Sequence, residues 1–138
     1  MQFAQIRDRL EPGLTGPAPI DLSGLQGIWI NSNSDTNGIA RMVVSESDGN
    51  LTLRVFAVGP NGLIDWGAAP VTILSSSASS SGAAGFTCRY DFGFVETRLQ
   101  AMILKGLIVL AELHSFKDDS NRVDYFVREY FALEHGRY

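Results

Sequence analysis

The chain reads as all-β: an eight-stranded, up-and-down antiparallel β-barrel preceded by a short helix. Three observations predict it. From Gly24 onward, apolar and polar residues alternate in runs that continue almost to the C-terminus, as strands with one buried face require. Two pairs of these runs flank turn dipeptides, Asp48-Gly49 and Lys105-Gly106, which suit tight hairpins. The connections between runs are short, which implies sequential pairing and closure of the sheet on itself to remove its edges.

Composition bounds the rest. A chain of 138 residues is one domain and is long enough to bury a real core. An apolar share of 45% against 19% charged residues argues against disorder in the body of the chain. The net charge is −4, only two lysines occur, and no basic stripe is present, so a nucleic-acid partner is not expected. A lone cysteine, Cys88, excludes an internal disulfide and a cysteine-based zinc site, and no metal is expected. Arg7 and Arg9 are not followed by an apolar secretory segment. No apolar run approaches the ~18 residues of a membrane helix, so no membrane partner is expected. Together these readings point to a cytoplasmic protein.

Taken in order, Phe3, Ile6 and Leu10 recur at helical spacing and are stopped by Pro12-Gly13, which predicts a short amphipathic helix. Residues 1–24 are this helix and an irregular leader, residues 25–134 the barrel, and residues 135–138 a tail. Leu25 to Asn31 opens the barrel: Gly27 lets the chain cross close to the sheet, and Trp29 is large enough to plug one end. A type I′ turn at Asp48-Gly49 sets Val44 opposite Leu53, Met42 opposite Val55 and Ala40 opposite Ala57, all facing inward. Arg41 and Arg54 then face solvent. Residues 60–69 read as a loop carrying Trp66, followed by a short strand at Val71–Leu74 and a serine-rich, flexible tip at 75–82. Phe86–Phe92 places Phe86, Cys88, Tyr90 and Phe92 on one side, making Cys88 a buried apolar residue rather than a nucleophile.

The second hairpin, Phe94–Leu104 with Leu107–Phe116, pairs Ile103 with Ile108, Ala101 with Leu110, Leu99 with Glu112 and Thr97 with His114. This face is taken as the inner one. It is apolar near the turn and polar further along. The last strand, Arg122–Leu133, puts Val123, Tyr125, Val127, Glu129 and Phe131 on one side.

Glu112, His114 and Glu129 are the chemical candidates, because a carboxyl and an imidazole in an apolar lumen have shifted pKa values and can orient a polar head or move a proton. If the protein is an enzyme, Glu112 and His114 are its acid–base pair. The alternative is that barrel ends are wet and these side chains make ordinary hydrogen bonds at the rim. The inward positions nominate Met42, Val55, Trp66, Phe86, Tyr90, Thr97, Leu99, Glu112, His114, Tyr125 and Glu129 as ligand contacts. The loop from Asn31 to Asn37 offers amides and hydroxyls to a sugar or an ion; more often such a loop satisfies its own backbone. No phosphate loop or triad motif is present.

Gly27-Ile28-Trp29, the strand count and the leader helix resemble the calycin superfamily of lipocalins and fatty-acid-binding proteins. A closer likeness runs through Trp29-x-Asn31-x-Asn33-x-x-Thr36-x-Gly38-Ile39-x-Arg41, Asp65-Trp66-Gly67, and Phe116-x-Asp118-x-Ser120-x-Arg122-x-x-Tyr125-x-x-x-Glu129-x-Phe131. Those stretches look like a family of small lipocalin-like proteins. Asn33 and Asn37 stand where that likeness would place an acid and a base. The resemblance implies structural roles for Gly27 and Trp29, with Arg122 or Arg128 of the last strand laid against the indole. It also raises haem ligation through His114 as an alternative to the absence of any cofactor.

The expected function is binding of a small, largely hydrophobic molecule inside the barrel. One alternative is a cofactor-independent cyclase or isomerase acting on a lipid or polyketide-like substrate in the same cavity. The other is a cavity-free interaction module, a homodimer joined through the Met102, Leu104, Leu107 and Val109 corner.

Overall fold

The computed structural model describes residues 21–75 and 82–134. The expected leader helix, most of the serine-rich tip and the tail lie outside them. Nine strands follow in order: β1 (Gly27–Asn31), β2 (Ile39–Ser47), β3 (Asn50–Gly59), β4 (Gly62–Pro70), β5 (Thr72–Ser75), β6 (Ala83–Asp91), β7 (Val95–Leu104), β8 (Leu107–Phe116) and β9 (Tyr125–Leu133). They form one antiparallel sheet in the order β4-β3-β2-β1-β9-β8-β7-β6-β5, curled into a half-barrel. Among the described residues, no helix is long and apolar enough to cross a membrane.

Both expected hairpins form in the expected register. Asp48 and Gly49, and likewise Lys105 and Gly106, all take positive φ, as a type I′ turn demands. Met42 pairs with Val55 and Val44 with Leu53; Leu99 pairs with Glu112 and Thr97 with His114. The Ile103/Ile108 face is the concave one, since Leu99, Ala101, Ile108 and Leu110 are buried.

Three expectations are corrected. There are nine strands, not eight, because residues 60–69 are not a loop. A tight turn at Pro60-Asn61 pairs Gly59 with Gly62 and starts β4. Its alternation is broken because Trp66 and Gly67 together oppose the single residue between Arg54 and Phe56, a β-bulge that Gly67 permits with a φ of 88°. The bulge aims Trp66 at the core, which it packs against. A second bulge falls between Ile39 and Arg41. It puts Ile39 inside, at 1% exposure, and leaves Ala40 half-buried, so Ala40 is not the inward partner of Ala57. The last strand begins at Tyr125 rather than Arg122, and Val123 is exposed.

The sheet's two outer strands, β4 and β5, are consecutive in the chain and separated only by Val71. Backbone therefore crosses the opening where a further ladder would close a full barrel. Side chains tie the opening together. The Tyr90 hydroxyl donates to Gly67 O at 2.8 Å and reaches Leu53 O at 3.2 Å, and the Cys88 thiol donates to Pro70 O at 3.6 Å. Burial pushes the Cys88 thiol above its ordinary pKa, so it is a poor nucleophile.

One end of the interior is plugged. Leu22, Leu25 and Trp29 are buried with Val44, Leu51, Leu53, Ile108 and Leu110, and the Trp29 indole N–H donates to Leu25 O at 2.9 Å. Gly27 is required beside it, because a Cβ there would meet Leu133 Cδ1 at 2.6 Å and its φ is 131°. The structural reading of Gly27-Ile28-Trp29 as an end closure fits this geometry. Neither expected arginine is placed over the indole. The Arg122 guanidinium lies over Phe116 and Phe94, at 4.4 and 5.2 Å from the ring centroids, and that of Arg128 lies over Phe126. β9 presents Phe126 and Arg128 on the convex face, whereas Trp29 is on the concave one.

Candidate functional site

The other end of the interior is open, and the polar residues of β8 and β9 gather there. β8 alternates Ile108, Leu110, Glu112 and His114 on the concave face, so the hairpin that starts as core ends as a polar ladder. Glu112 is 3% exposed and His114 8%. β9 brings Glu129 beside Glu112, because Leu110 pairs with Glu129 and Glu112 with Val127. β1 contributes Asn31, inward by the same alternation that buries Trp29.

These groups form one hydrogen-bonded chain. Thr97 Oγ1 lies 2.8 Å from His114 Nδ1, and His114 Nε2 lies 3.3 Å from Glu112 Oε1. Glu129 Oε2 accepts from Asn31 Nδ2 at 2.6 Å and from the Thr36 hydroxyl at 2.7 Å. Asn31 Nδ2 also donates to Ile39 O, and its Oδ1 accepts from the Asn33 N–H. Asn31 thereby fixes the loop onto Glu129.

Electrostatics places the protons. Burial, reinforced by a hydrogen bond with Glu129 and by its negative charge, pushes the Glu112 carboxyl up to about 9. Burial also acts to raise Glu129, but hydrogen bonds from Glu112, Thr36, Asn31 and the Ile39 backbone outweigh it and hold that carboxyl below its usual value. His114 is lowered by burial, with the Glu129 charge opposing. At neutral pH, Glu112 is therefore protonated, Glu129 ionised and His114 neutral. One arrangement of hydrogens then satisfies the chain: the Thr97 hydroxyl donates to Nδ1, the Nε2 hydrogen donates to Glu112 Oε1, and the Glu112 hydroxyl donates to Glu129. Glu112 Oε2 and Glu129 Oε1 have no other partner among the described residues. The result is a single negative charge at the end of a neutral relay.

Above this floor lies a cleft of about 520 Å³, lined by Ala57, Val58, Ile64, Trp66, Tyr125 and Val127 as well as Glu112, His114 and Glu129. It shares Ile64, Trp66, His114 and Tyr125 with an outer cavity of about 680 Å³ that Phe92, Phe94, Phe116, Thr97 and Arg122 border. Tyr125 stacks on His114 with centroids 4.4 Å apart and planes 21° off parallel. Trp66 packs edge-on against Tyr90 and Phe92.

Of the expected ligand contacts, Trp66, Glu112, His114, Tyr125 and Glu129 line the cleft, and Thr97 borders the outer cavity. Met42, Val55, Phe86, Tyr90 and Leu99 are built into the hydrophobic core. Asn31, Thr36 and Gly38, all grouped around Glu129, were not among the expected ligand contacts. Their signals were the parity of Asn31 with Trp29 and the stretch from Trp29 to Arg41 that carries the family resemblance, in which all three stand. A further groove of about 610 Å³ opens by Thr87, Arg89, Arg98, Gln100, Leu113 and Phe126. Its two arginines are already paired with Glu96, so the charges at its wall are compensated. On the convex face Met102 and Leu104 are each 52% exposed, alongside Leu107, Leu113, Phe126 and Tyr130. No group of three or more histidine, cysteine or acidic side chains that could hold a metal occurs among the described residues.

No family model, no curated protein and no solved structure matches this chain.

Proposed function

We propose that the protein binds a small, largely apolar molecule in the open end of its curled sheet, as a calycin-like barrel does. The observation that carries this reading is the pairing of a cleft of about 520 Å³, walled by apolar and aromatic side chains, with a polar floor of Glu112, His114 and Glu129. That size and that mixture of many apolar walls with few convergent polar groups are typical of small-molecule sites. The Gly27-Ile28-Trp29 entry and the up-and-down strand order support the calycin-like comparison. The test is titration with prodan, a neutral naphthalene fluorophore whose emission shifts to the blue in apolar surroundings. Saturable binding is expected, and Ala57→Phe, which fills the cleft wall, abolishes it. Binding that is unsaturable, or indifferent to Ala57→Phe, removes the reading.

A second reading, a cofactor-independent isomerase or cyclase, is favoured by one observation. The two carboxyls of the floor are driven to opposite protonation states, which is how one site supplies both an acid and a base. It predicts that the protein accelerates α-deuterium exchange of an enolisable apolar ketone such as 2-tetralone, and that Glu112→Gln loses the acceleration.

A further inference from the structure

We infer that the cleft is built for an organic cation: a small primary ammonium carried on an apolar, ring-bearing body. The ammonium sits between Glu112 and Glu129 in place of the proton they share, and the body lies against Trp66 and Tyr125. The inference rests on the ligand-binding reading above and adds the charge of the ligand.

Charge complementarity points this way. Glu129 carries a negative charge inside an apolar cleft, and its partners, Asn31, Thr36 and Glu112, are all neutral. Among the described residues the ion pairs of arginine and lysine engage Asp65, Asp91, Glu96 and Asp118, on the outside of the sheet or at its rim, and none reaches Glu112 or Glu129. Arg122 borders the outer cavity but is bound to Asp118 and Ser120. A buried carboxylate without a cation is costly, and a cationic ligand compensates that cost whereas a neutral one does not.

Two further features belong to the site itself. Glu112 is more than nine-tenths buried and lines the cleft, and apart from the proton the two carboxyls share, its Oε2 and Glu129 Oε1 have no partner among the described residues. A primary ammonium has three N–H donors, enough to reach both oxygens. The space beside Glu129 is also open. Gly38 lines the cleft without a side chain, and a Cβ there would sit 3.1 Å from Glu129 Oε1. The aromatic walls add to the match, because Trp66 and Tyr125 offer ring surface against which a ring-bearing body can pack. An anion would meet the opposite field at Glu129.

The proton shared by Glu112 and Glu129 makes the proposal measurable. The titratable groups around it are Glu112 and His114 from β8, Glu129 and Tyr125 from β9, and Asp65 and Arg122 at the outer cavity. An ammonium that replaces the shared proton must release it to solvent.

The test compares 2-phenylethylamine, 2-phenylethanol and 3-phenylpropionate, which share a ring and differ in charge, as competitors of prodan on the full chain at pH 7.5. The amine is expected to displace prodan at least ten-fold more effectively than the alcohol, and the carboxylate least of all. Calorimetry in two buffers of different ionisation heat is expected to show proton release on amine binding. Glu129→Gln should bring the amine down to the level of the alcohol measured on the same variant. Gly38→Ala, which crowds the carboxylate without touching the core, should weaken the amine selectively. Equal displacement by amine and alcohol overturns the inference, as does amine binding without proton release or a preference that survives Glu129→Gln. In those cases prodan binding persists and the broader reading stands; if prodan itself does not bind, both fall. The competition and the proton release are read on the unaltered protein, so a variant that fails to fold leaves the test intact.

Discussion

The two ends of the interior are built from the same parts and do opposite things. β2–β3 and β7–β8 are hairpins of similar length, each closed by a two-residue turn with positive φ at both positions, and each lines the concave face. The inner face of β2–β3 is apolar apart from Glu46 beside the turn: Ile39, Met42, Val44, Leu51, Leu53 and Val55 are all buried. The inner face of β7–β8 changes character halfway, from Ala101, Ile108 and Leu110 near the turn to Thr97, Glu112 and His114 at the far end. The plugged end, around Trp29, is therefore held by apolar burial. The open end is held by a relay of hydrogen bonds whose members compensate one another only as a set. Architecture is shared; the chemistry of four or five inward positions separates a core from a site.

This contrast is sharpened most by the largest expected effect. Trp29→Ala should destabilise the protein by about 3–5 kcal/mol in urea unfolding, the usual loss for a large buried aromatic, since it empties the plug and removes the bond to Leu25. A loss as small as that of an exposed residue would mean that the closed end is not the core.

The open end should respond to pH instead. The folded-state pKa of Glu112 is raised from 4.5 to about 9, so the unfolded chain gives up this proton first. Glu112 thus favours the folded state fully below about pH 4.5, and that stability is lost as pH rises toward 9, at up to about 1.4 kcal/mol per pH unit. Glu129, lowered by its hydrogen bonds, acts in the opposite sense and loses its contribution as pH falls through its folded-state value. In Glu112→Gln the descending slope between pH 5 and 9 should disappear. Parallel curves for the two proteins would show that Glu112 does not hold its proton.

Asn31→Ala comes next, at about 1–3 kcal/mol, because it leaves Ile39 O and Glu129 Oε2 without the amide that satisfies both. Tyr90→Phe should cost about 0.5–1.5 kcal/mol, the worth of the hydroxyl that links β6 to β4 across the opening. Smallest of all is Tyr125→Ala. Tyr125 is 49% exposed, so stability should change by only about 0.5 kcal/mol, while prodan affinity falls because the ring stacked on His114 is gone. Equal affinity in this variant would detach the cleft from the ligand.

Alternation was the legible part. Leu99, Ala101, Ile108, Glu112 and His114 could be grouped on one face from their spacing and the Lys105-Gly106 turn, because a pleated strand forces successive side chains to opposite faces; that this face is the inner one was decided by burial in the fold. Where an extra residue interrupts that parity, reading failed. The bulge at Trp66-Gly67 disguised β4 as a loop and hid the ninth strand, and the bulge after Ile39 moved Ala40 off the inner face. Both irregularities lie beside the site: they turn Trp66 and Ile39 toward it.

What the sequence determined by itself was local: the all-β class, the two hairpins, their registers, and which side chains of β7 and β8 share a face. Those follow from a two-residue period and from turns that need positive φ. The tertiary structure alone decided that Glu112 meets Glu129, and that Asn31 and Thr36 hold Glu129 while, among the described residues, no arginine or lysine does. Asn31 and Glu129 are 98 residues apart in the chain, and whether an acid is ionised depends on which neighbours the closing sheet delivers to it rather than on any residue near it in sequence.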